Sequence, residues 1–368
     1  MHSRIELRIP FYVLLLSLIG GTVLYSAGYD VETATSPRFV KQLYYFVLGF
    51  LFFGACLFIP ADFWRRAAYP AYAGGIATLL MVLAVGKVAG GARRWIAIGG
   101  FTVQPSEFTK VLMVLALARV LADFKGAKDG YNLWQLWKPA LVVLLPLGLI
   151  VLQPDLGTGL CHVLIAGVMV LVAGVRKKTI LFVLGLVAVA AYPAWHSLHD
   201  YQQQRVFNFL SPERDPLGTG YHAIQSKIAV GSGGLYGKGY MQGTQTQLRF
   251  LPEQTTDFIF SVFSEEWGFV GTSVLIALYA LLVTRILNLA AQSEDRFTSF
   301  VCVGMAAMVF WHVVVNIGMA TGVLPVVGLT LPWMSYGGSS VLAMLAGMGV
   351  LAGVVSRPGK RIGLHSRR

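Results

Sequence analysis

Apolar residues along this chain come in blocks of about 20, separated by shorter stretches in which most of the Lys and Arg are found. As helices, such blocks are long enough to cross a hydrocarbon core of about 30 Å. The pattern predicts about ten spans, near residues 10–29, 41–60, 69–88, 106–123, 139–153, 157–174, 179–196, 257–284, 298–321 and 338–356. The short fifth and sixth spans meet at "QPDLGTG", where Pro154, Gly157 and Gly159 break the helical pattern. The fold class that follows is an all-α polytopic membrane protein forming a single domain over residues 1–368.

Most of the 29 Lys and Arg fall on the side that holds the N-terminus, with "RRAAY", "VRKKT" and the tail "RPGKRIGLHSRR" as the clearest markers. The positive-inside rule therefore predicts that both termini are cytoplasmic. The first block follows Arg4 and Arg8 but is too long for a typical signal-peptide core, so it reads as a first transmembrane helix. One long extracytoplasmic loop, about 197–256, is expected between helices 7 and 8. Within it, "YHAIQSKIAVGSGGLYGKG" reads as a short amphipathic helix at or dipping into the outer interface. The outer loop "GKVAGGARRWIAIGG" keeps Lys87, Arg93 and Arg94 on the disfavoured side. Either it meets an anionic head group or it is a tolerated exception.

Composition narrows the classes. The chain is 56% hydrophobic and 12% charged, about half the charge of an average soluble domain. Its net charge of +12 sits in loops and not on a basic face with interleaved aromatics, which argues against nucleic acid. Cys56, Cys161 and Cys302 lie in apolar blocks without metal-ligand spacing and read as core residues. The cluster "GSGGLYGKG" lacks the glycine a Walker loop needs, because Ser232 stands there, and Tyr236 spoils a dinucleotide fingerprint. "HSLHD" has a loose metal-like spacing without further ligands, and an interfacial capping role is preferred for it. Gly349 and Gly353 fit close helix packing.

Carboxylates inside spans are costly and point to function or to a nearby partner. Glu107, Asp155 and Asp257 lie at the outer ends of spans, with Glu265 and Glu266 further along the eighth. Glu107 and Lys110 share one helix face. They form either a structural ion pair at a helix start capped by Ser106, or an ammonium and a carboxylate facing an outer cavity. Thr256 or Asp257 could simply cap the eighth span. Alternatively, Asp257 closes a segment dense in polar groups and could act as a general base. Glu265 and Glu266 are expected to hydrogen-bond neighbouring helices, or else to line a transport path.

The stretches "RRWIAIGGFTVQPSEFTK", "QPDLGTG", "DPLGTGYHAIQSKIAVGSGGLYGKGYMQGTQTQLRFLPEQTTDFIF" and "GVLPVVGLTLPWMSYGGSS" resemble the SEDS family (shape, elongation, division, sporulation), most closely its RodA branch. The likeness runs from the third span to the last. It implies a ten-span fold in the bacterial cytoplasmic (inner) membrane, with the active site on the extracytoplasmic face. The implied activity is peptidoglycan glycosyltransfer, polymerising lipid II (undecaprenyl-pyrophosphate-linked disaccharide-peptide) during cell elongation. The family's essential aspartate falls on Asp257, and its fourth-span pair on Glu107 and Lys110. A divalent cation (Mg2+ or Mn2+), a class B penicillin-binding protein and other elongation-machinery proteins are implied as cofactor and partners.

Many relatives have histidine where Thr255 stands, and Arg-Gln where this chain has Lys41-Gln42. An ammonium can still meet a phosphate, without the guanidinium's fork. The mechanism expected is inverting transfer, with Asp257 as base. Lys110, Lys41 and Arg93 stabilise the leaving pyrophosphate, and Glu107 orients Lys110 or helps ligate the metal. A lipid flippase and a non-catalytic scaffold are the alternatives.

Overall fold

The structure is a computed structural model that describes residues 6–30, 35–89, 92–98, 101–124, 130–197, 203, 207, 209, 219–251 and 253–357. Among them are ten long helices: α1 (Arg8–Ala27), α2 (Pro37–Leu57), α3 (Ala61–Val85), α4 (Pro105–Asp123), α5 (Trp137–Leu152), α6 (Leu156–Ala173), α7 (Lys177–Ser197), α10 (Ile259–Gln292), α11 (Arg296–Ala320) and α12 (Gly338–Ser356). Two shorter helices, α8 (Thr219–Ser232) and α9 (Thr244–Gln247), lie between α7 and α10. Eight helical segments are long and apolar enough to cross a membrane. The chain is a multi-pass membrane protein.

The long helices sit where the apolar windows predict them, with instructive differences at the ends. Helix α3 begins at Ala61 and not near residue 69, because its first turns carry Arg65 and Arg66, which an apolar window excludes. Arg65 and Arg119 meet Asp123 at the end of α4, so these charges have partners. Prolines 70, 146 and 193 are inside helices, as membrane helices tolerate when neighbours satisfy the freed carbonyls.

Helix α4 carries Glu107, Lys110, Arg119 and Asp123 and is absent from the eight apolar segments. It is nonetheless buried along most of its length, packed among α3, α5, α6, α11 and α12. Protein and not lipid surrounds it, so paired charge is tolerated there. Helix α7 is the opposite case: every side chain from Leu181 to Pro193 is exposed. Gly349 and Gly353 do serve close packing, since a Cβ on either would meet the backbone of α2 and the turn after it.

The loop between α3 and α4 is a three-stranded antiparallel sheet, β1 (Lys87–Ala89), β2 (Ala92–Ile98) and β3 (Phe101–Val103), where no strand is predicted. Arg94 explains one of its basic residues. Its guanidinium donates to the Gln153 carbonyl (3.1 Å) and to that of Pro154, fixing the break between α5 and α6. The predicted amphipathic helix is α8. Of "HSLHD", His196 bonds the Tyr192 carbonyl one turn back, while residues 198–200, like the tail 358–368, lie outside the described residues.

Candidate active site

Asp257 lies in the turn that enters α10. The N-cap position of the helix is Phe258, one residue after Asp257. What holds this turn is its backbone. The Thr255 carbonyl accepts from the Tyr336 N–H at 2.7 Å, the Thr256 carbonyl from Ser335 Oγ at 2.6 Å, and the Asp257 carbonyl from Asn316 Nδ2 at 3.0 Å. Three successive peptide units are thereby pinned to α11 and to the segment that leads into α12. Asp257 itself is half-buried. Gly328 adopts a φ of +76°, open to glycine at no steric cost, and a Cβ built there would lie 3.6 Å from Asp257 Oδ2.

The segment facing Asp257 is held from behind in turn. Asn316 Nδ2 also donates to the Leu329 carbonyl at 2.8 Å. Gln42 is buried on α2, donates to the Ser335 carbonyl at 3.2 Å and accepts from the Gly337 N–H at 3.3 Å. Arg38, exposed one turn before Lys41, donates to the hydroxyl of buried Thr255. A cation thus stands beside the Asp257 turn, contributed by Arg38.

Glu107 and Lys110 are brought together, Nζ to Oε1 at 2.9 Å, with Lys110 only 1% and Glu107 7% exposed. Ser106 does not cap α4. The N-cap is Gln104, and the Ser106 hydroxyl is buried without a hydrogen-bond partner among the described residues. Lys110 Nζ also lies 2.9 Å from His312 Nε2 on α11, and His312 Nδ1 lies 3.1 Å from the Thr330 carbonyl. The pair is therefore linked through His312 to the segment facing Asp257. Asp155 caps α6 through the Thr158 N–H and accepts from Gln104 Nε2 at 2.8 Å, so its carboxylate is structural. Lys41 and Arg93 are both exposed, on α2 and β2, outside the hydrogen-bonded network around Asp257.

Glu265 and Glu266 hydrogen-bond neighbouring helices, as expected, and the loop between α8 and α9 as well. Glu265 accepts from Lys238 Nζ (2.7 Å), Thr244 Oγ1 (3.2 Å), the Gln245 N–H (3.0 Å) and both the N–H and hydroxyl of Thr246 (3.2 and 3.0 Å). Glu266 accepts from Met241 N–H at 3.2 Å and from Ser26 of α1. Apart from the α1 contact, these bonds run to the loop 238–241 and to α9, leaving little of a transport path built on them. The same loop repairs a break in α10 at Gly268 (φ 66°, ψ −165°). Gly234 and Leu235 carbonyls accept from Phe269 and Val270 N–H, while Lys238 and Gly239 N–H donate to Glu265 and Glu266 carbonyls. The glycine cluster "GSGGLYGKG" thus serves close approach. A Cβ at Gly233 or Gly237 would strike the α10 backbone.

His312, Asn316 and Arg38 are absent from the sequence reading. His312 and Asn316 stand four apart in an apolar span, and the rule applied to carboxylates, that intramembrane polar groups mark sites, would have found them. Arg38 carries no such signal, because only the fold carries α2 to Thr255. Among the described residues no group of three or more His, Cys, Asp or Glu could enclose a metal ion.

Comparison with known proteins identifies the family. The profile of the FtsW, RodA and SpoVE family, described as cell cycle proteins, matches residues 7–358. Peptidoglycan glycosyltransferase MrdB of Escherichia coli (strain K12) is 39% identical over 361 residues, which cover 96% of this chain and 94% of that one. A chain from a solved peptidoglycan synthase complex that coordinates polymerization and crosslinking superposes with a TM-score of 0.80 at 35% identity, covering 95% of this chain and 97% of that one. The crystal structure of the rod shape determining protein RodA of Thermus thermophilus gives a TM-score of 0.71 at 33% identity, with 96% and 98% covered.

Proposed function

The chain belongs to the FtsW, RodA and SpoVE family of cell cycle proteins, and from that premise we propose how it works. It is a peptidoglycan glycosyltransferase of the RodA type. Its substrate is lipid II, and Asp257 is the general base. The observation that carries this reading is the pinning of three successive carbonyls at Thr255, Thr256 and Asp257. A base must be held in place to accept a proton in the transition state, and here main-chain bonds supply that constraint.

In the transfer, the acceptor's 4-hydroxyl oxygen attacks the donor's anomeric carbon. The C–O bond to phosphate breaks with inversion, and undecaprenyl pyrophosphate leaves with the bonding electrons. The hydroxyl proton passes to the Asp257 carboxylate. Arg38, Lys41 and Arg93 are the exposed cations proposed to meet the pyrophosphate. Lys110 contributes from behind, held by Glu107. A divalent cation of the Mg2+ or Mn2+ type is proposed to arrive on the pyrophosphate, since such ions commonly take few protein ligands and complete their shell with phosphate oxygens and water. No step above depends on it.

We further propose that both termini are cytoplasmic, that the membrane is the bacterial inner membrane, and that Asp257 faces its outer side. The proposed partner is a class B penicillin-binding protein. The test is polymerisation of labelled lipid II by purified protein with that partner and divalent cation. Wild type should polymerise and Asp257→Asn should not. Near wild-type polymer from Asp257→Asn would remove the base assignment.

A further inference from the structure

Between the buried Glu107–Lys110 pair and the Asp257 turn lies one side chain with no assigned role, His312, which is fully buried. Its two ring nitrogens face different partners. Nδ1 is 3.1 Å from the Thr330 carbonyl, and Nε2 is 2.9 Å from Lys110 Nζ. A carbonyl oxygen can only accept, so the Nδ1 contact requires the proton on Nδ1. An ammonium can only donate, so Nε2 must carry the lone pair. Both contacts are satisfied by one neutral tautomer and by no other protonation state of the ring.

This geometry makes His312 a rigid bridge. On one side it fixes Lys110, whose remaining described partner is Glu107 at 2.9 Å. On the other it fixes Thr330, the residue after Leu329. Four residues further along α11, Asn316 Nδ2 ties the Leu329 carbonyl to the Asp257 carbonyl. Thr330 Oγ1 in turn meets Ser340 Oγ of α12 at 2.8 Å.

We propose that His312 is a positioning residue for sugar transfer. Held as the Nδ1–H tautomer, it sets the distance between the Lys110 ammonium and the segment that faces Asp257. It touches neither sugar nor pyrophosphate. The inference rests on Asp257 being the base, and it extends that reading to how the base and the buried cation are kept in register. A displacement of about 1 Å at a catalytic group can cost on the order of a hundredfold in rate, so a single buried bridge suffices to matter.

Two replacements each keep one end of the bridge. His312→Asn retains a donor near the Nδ1 position for Thr330, and His312→Gln retains an acceptor near the Nε2 position for Lys110. In lipid II polymerisation, both should lower kcat by roughly tenfold to a hundredfold with KM changed by less than about threefold. If either replacement, properly folded, keeps wild-type kcat, the bridge is not required and the proposal fails. A residue that only filled space would lower the melting temperature while leaving kcat of the folded fraction intact.

The second readout does not need activity. In protein labelled with 15N at histidine, the His312 signals are assigned by their loss in His312→Gln. They should show a protonated Nδ1 and an unprotonated Nε2, and Lys110→Met should move Nε2 far more than Nδ1. A proton on Nε2, or a doubly protonated ring, overturns the proposal. If wild type makes no polymer, the glycosyltransferase reading fails, and the spectra alone decide whether His312 bridges Lys110 to Thr330.

Discussion

Asp257 and Glu265 stand eight residues apart around the start of α10, and their surroundings are built in opposite ways. At Asp257 the named donors, Tyr336 N–H, Ser335 Oγ and Asn316 Nδ2, end on main-chain carbonyls. At Glu265 the donors of Lys238, Thr244, Gln245 and Thr246 end on the carboxylate itself. The first arrangement fixes where a residue stands through its main chain. The second engages both oxygens in holding a loop. A carboxylate saturated by donors on the protein is a poor proton acceptor, because each bond favours its charged form. These bonds thus separate a residue held at its main-chain carbonyl from one held at its carboxylate.

The sharpest test of that contrast is Asp257→Asn. Polymerisation should fall by roughly 10²–10⁴-fold, the range for a positioned general base, while the melting temperature stays within about 2 °C. A large loss of stability instead would mean that its side chain, and not its backbone, is what the fold needs.

Glu265→Gln should do the reverse. Substituting an amide places an NH₂ against donors that need an acceptor, costing about 2–4 kcal/mol. Limited proteolysis within 233–250 should accelerate, and polymerisation should fall only as far as the loop is lost. An intact loop with lost activity would place Glu265 in the chemistry and break the comparison.

Asn316→Ala sits between the two. It removes the donor shared by the Asp257 and Leu329 carbonyls, leaving both buried acceptors short of a partner at a cost of about 1–3 kcal/mol. kcat should drop by about tenfold with little change in KM, measured on the lipid II assay.

Lys238→Met is expected to be milder. Lys238 is 27% exposed and is one of several donors to Glu265, so its loss should cost no more than about 1 kcal/mol in thermal unfolding.

The smallest effect lies beside Asp257. The His222 ring stacks parallel to that of Phe258 at 6.5 Å, and burial lowers its pKa from the ordinary 6.5, with Glu253 opposing. A histidine depressed in the folded state contributes stability that is present above 6.5 and is lost as pH falls below it. Wild type should therefore lose slightly more melting temperature than His222→Gln between about pH 7.5 and 5.5.

Much of this was legible in the residues. Apolar blocks set the long helices to within a few residues at most ends, since lipid imposes length and hydrophobicity directly. Asp257, Glu107 and Lys110 stood out because charge in such a chain needs a reason. The strands at 87–103 were missed because "GKVAGGARRWIAIGG" is short and glycine-rich, with little alternation to read. Bonds to neighbouring helices are expected for Glu265, but position along one helix does not say which segment, 19 or more residues upstream, folds back to make them.

From the order of residues alone it follows that this chain crosses the membrane many times, and which acidic and basic residues require an explanation. Those follow from local composition, because the hydrocarbon solvent acts on each segment separately. Helix packing alone joins His312 to Lys110 and Thr330, ties Asn316 of α11 to the Asp257 turn, carries Arg38 to Thr255 and sets Lys238 against Glu265 of α10. Each is a hydrogen bond between residues 18 to 217 positions apart. A bond of about 3 Å depends on how helices pack, and no local pattern fixes that distance.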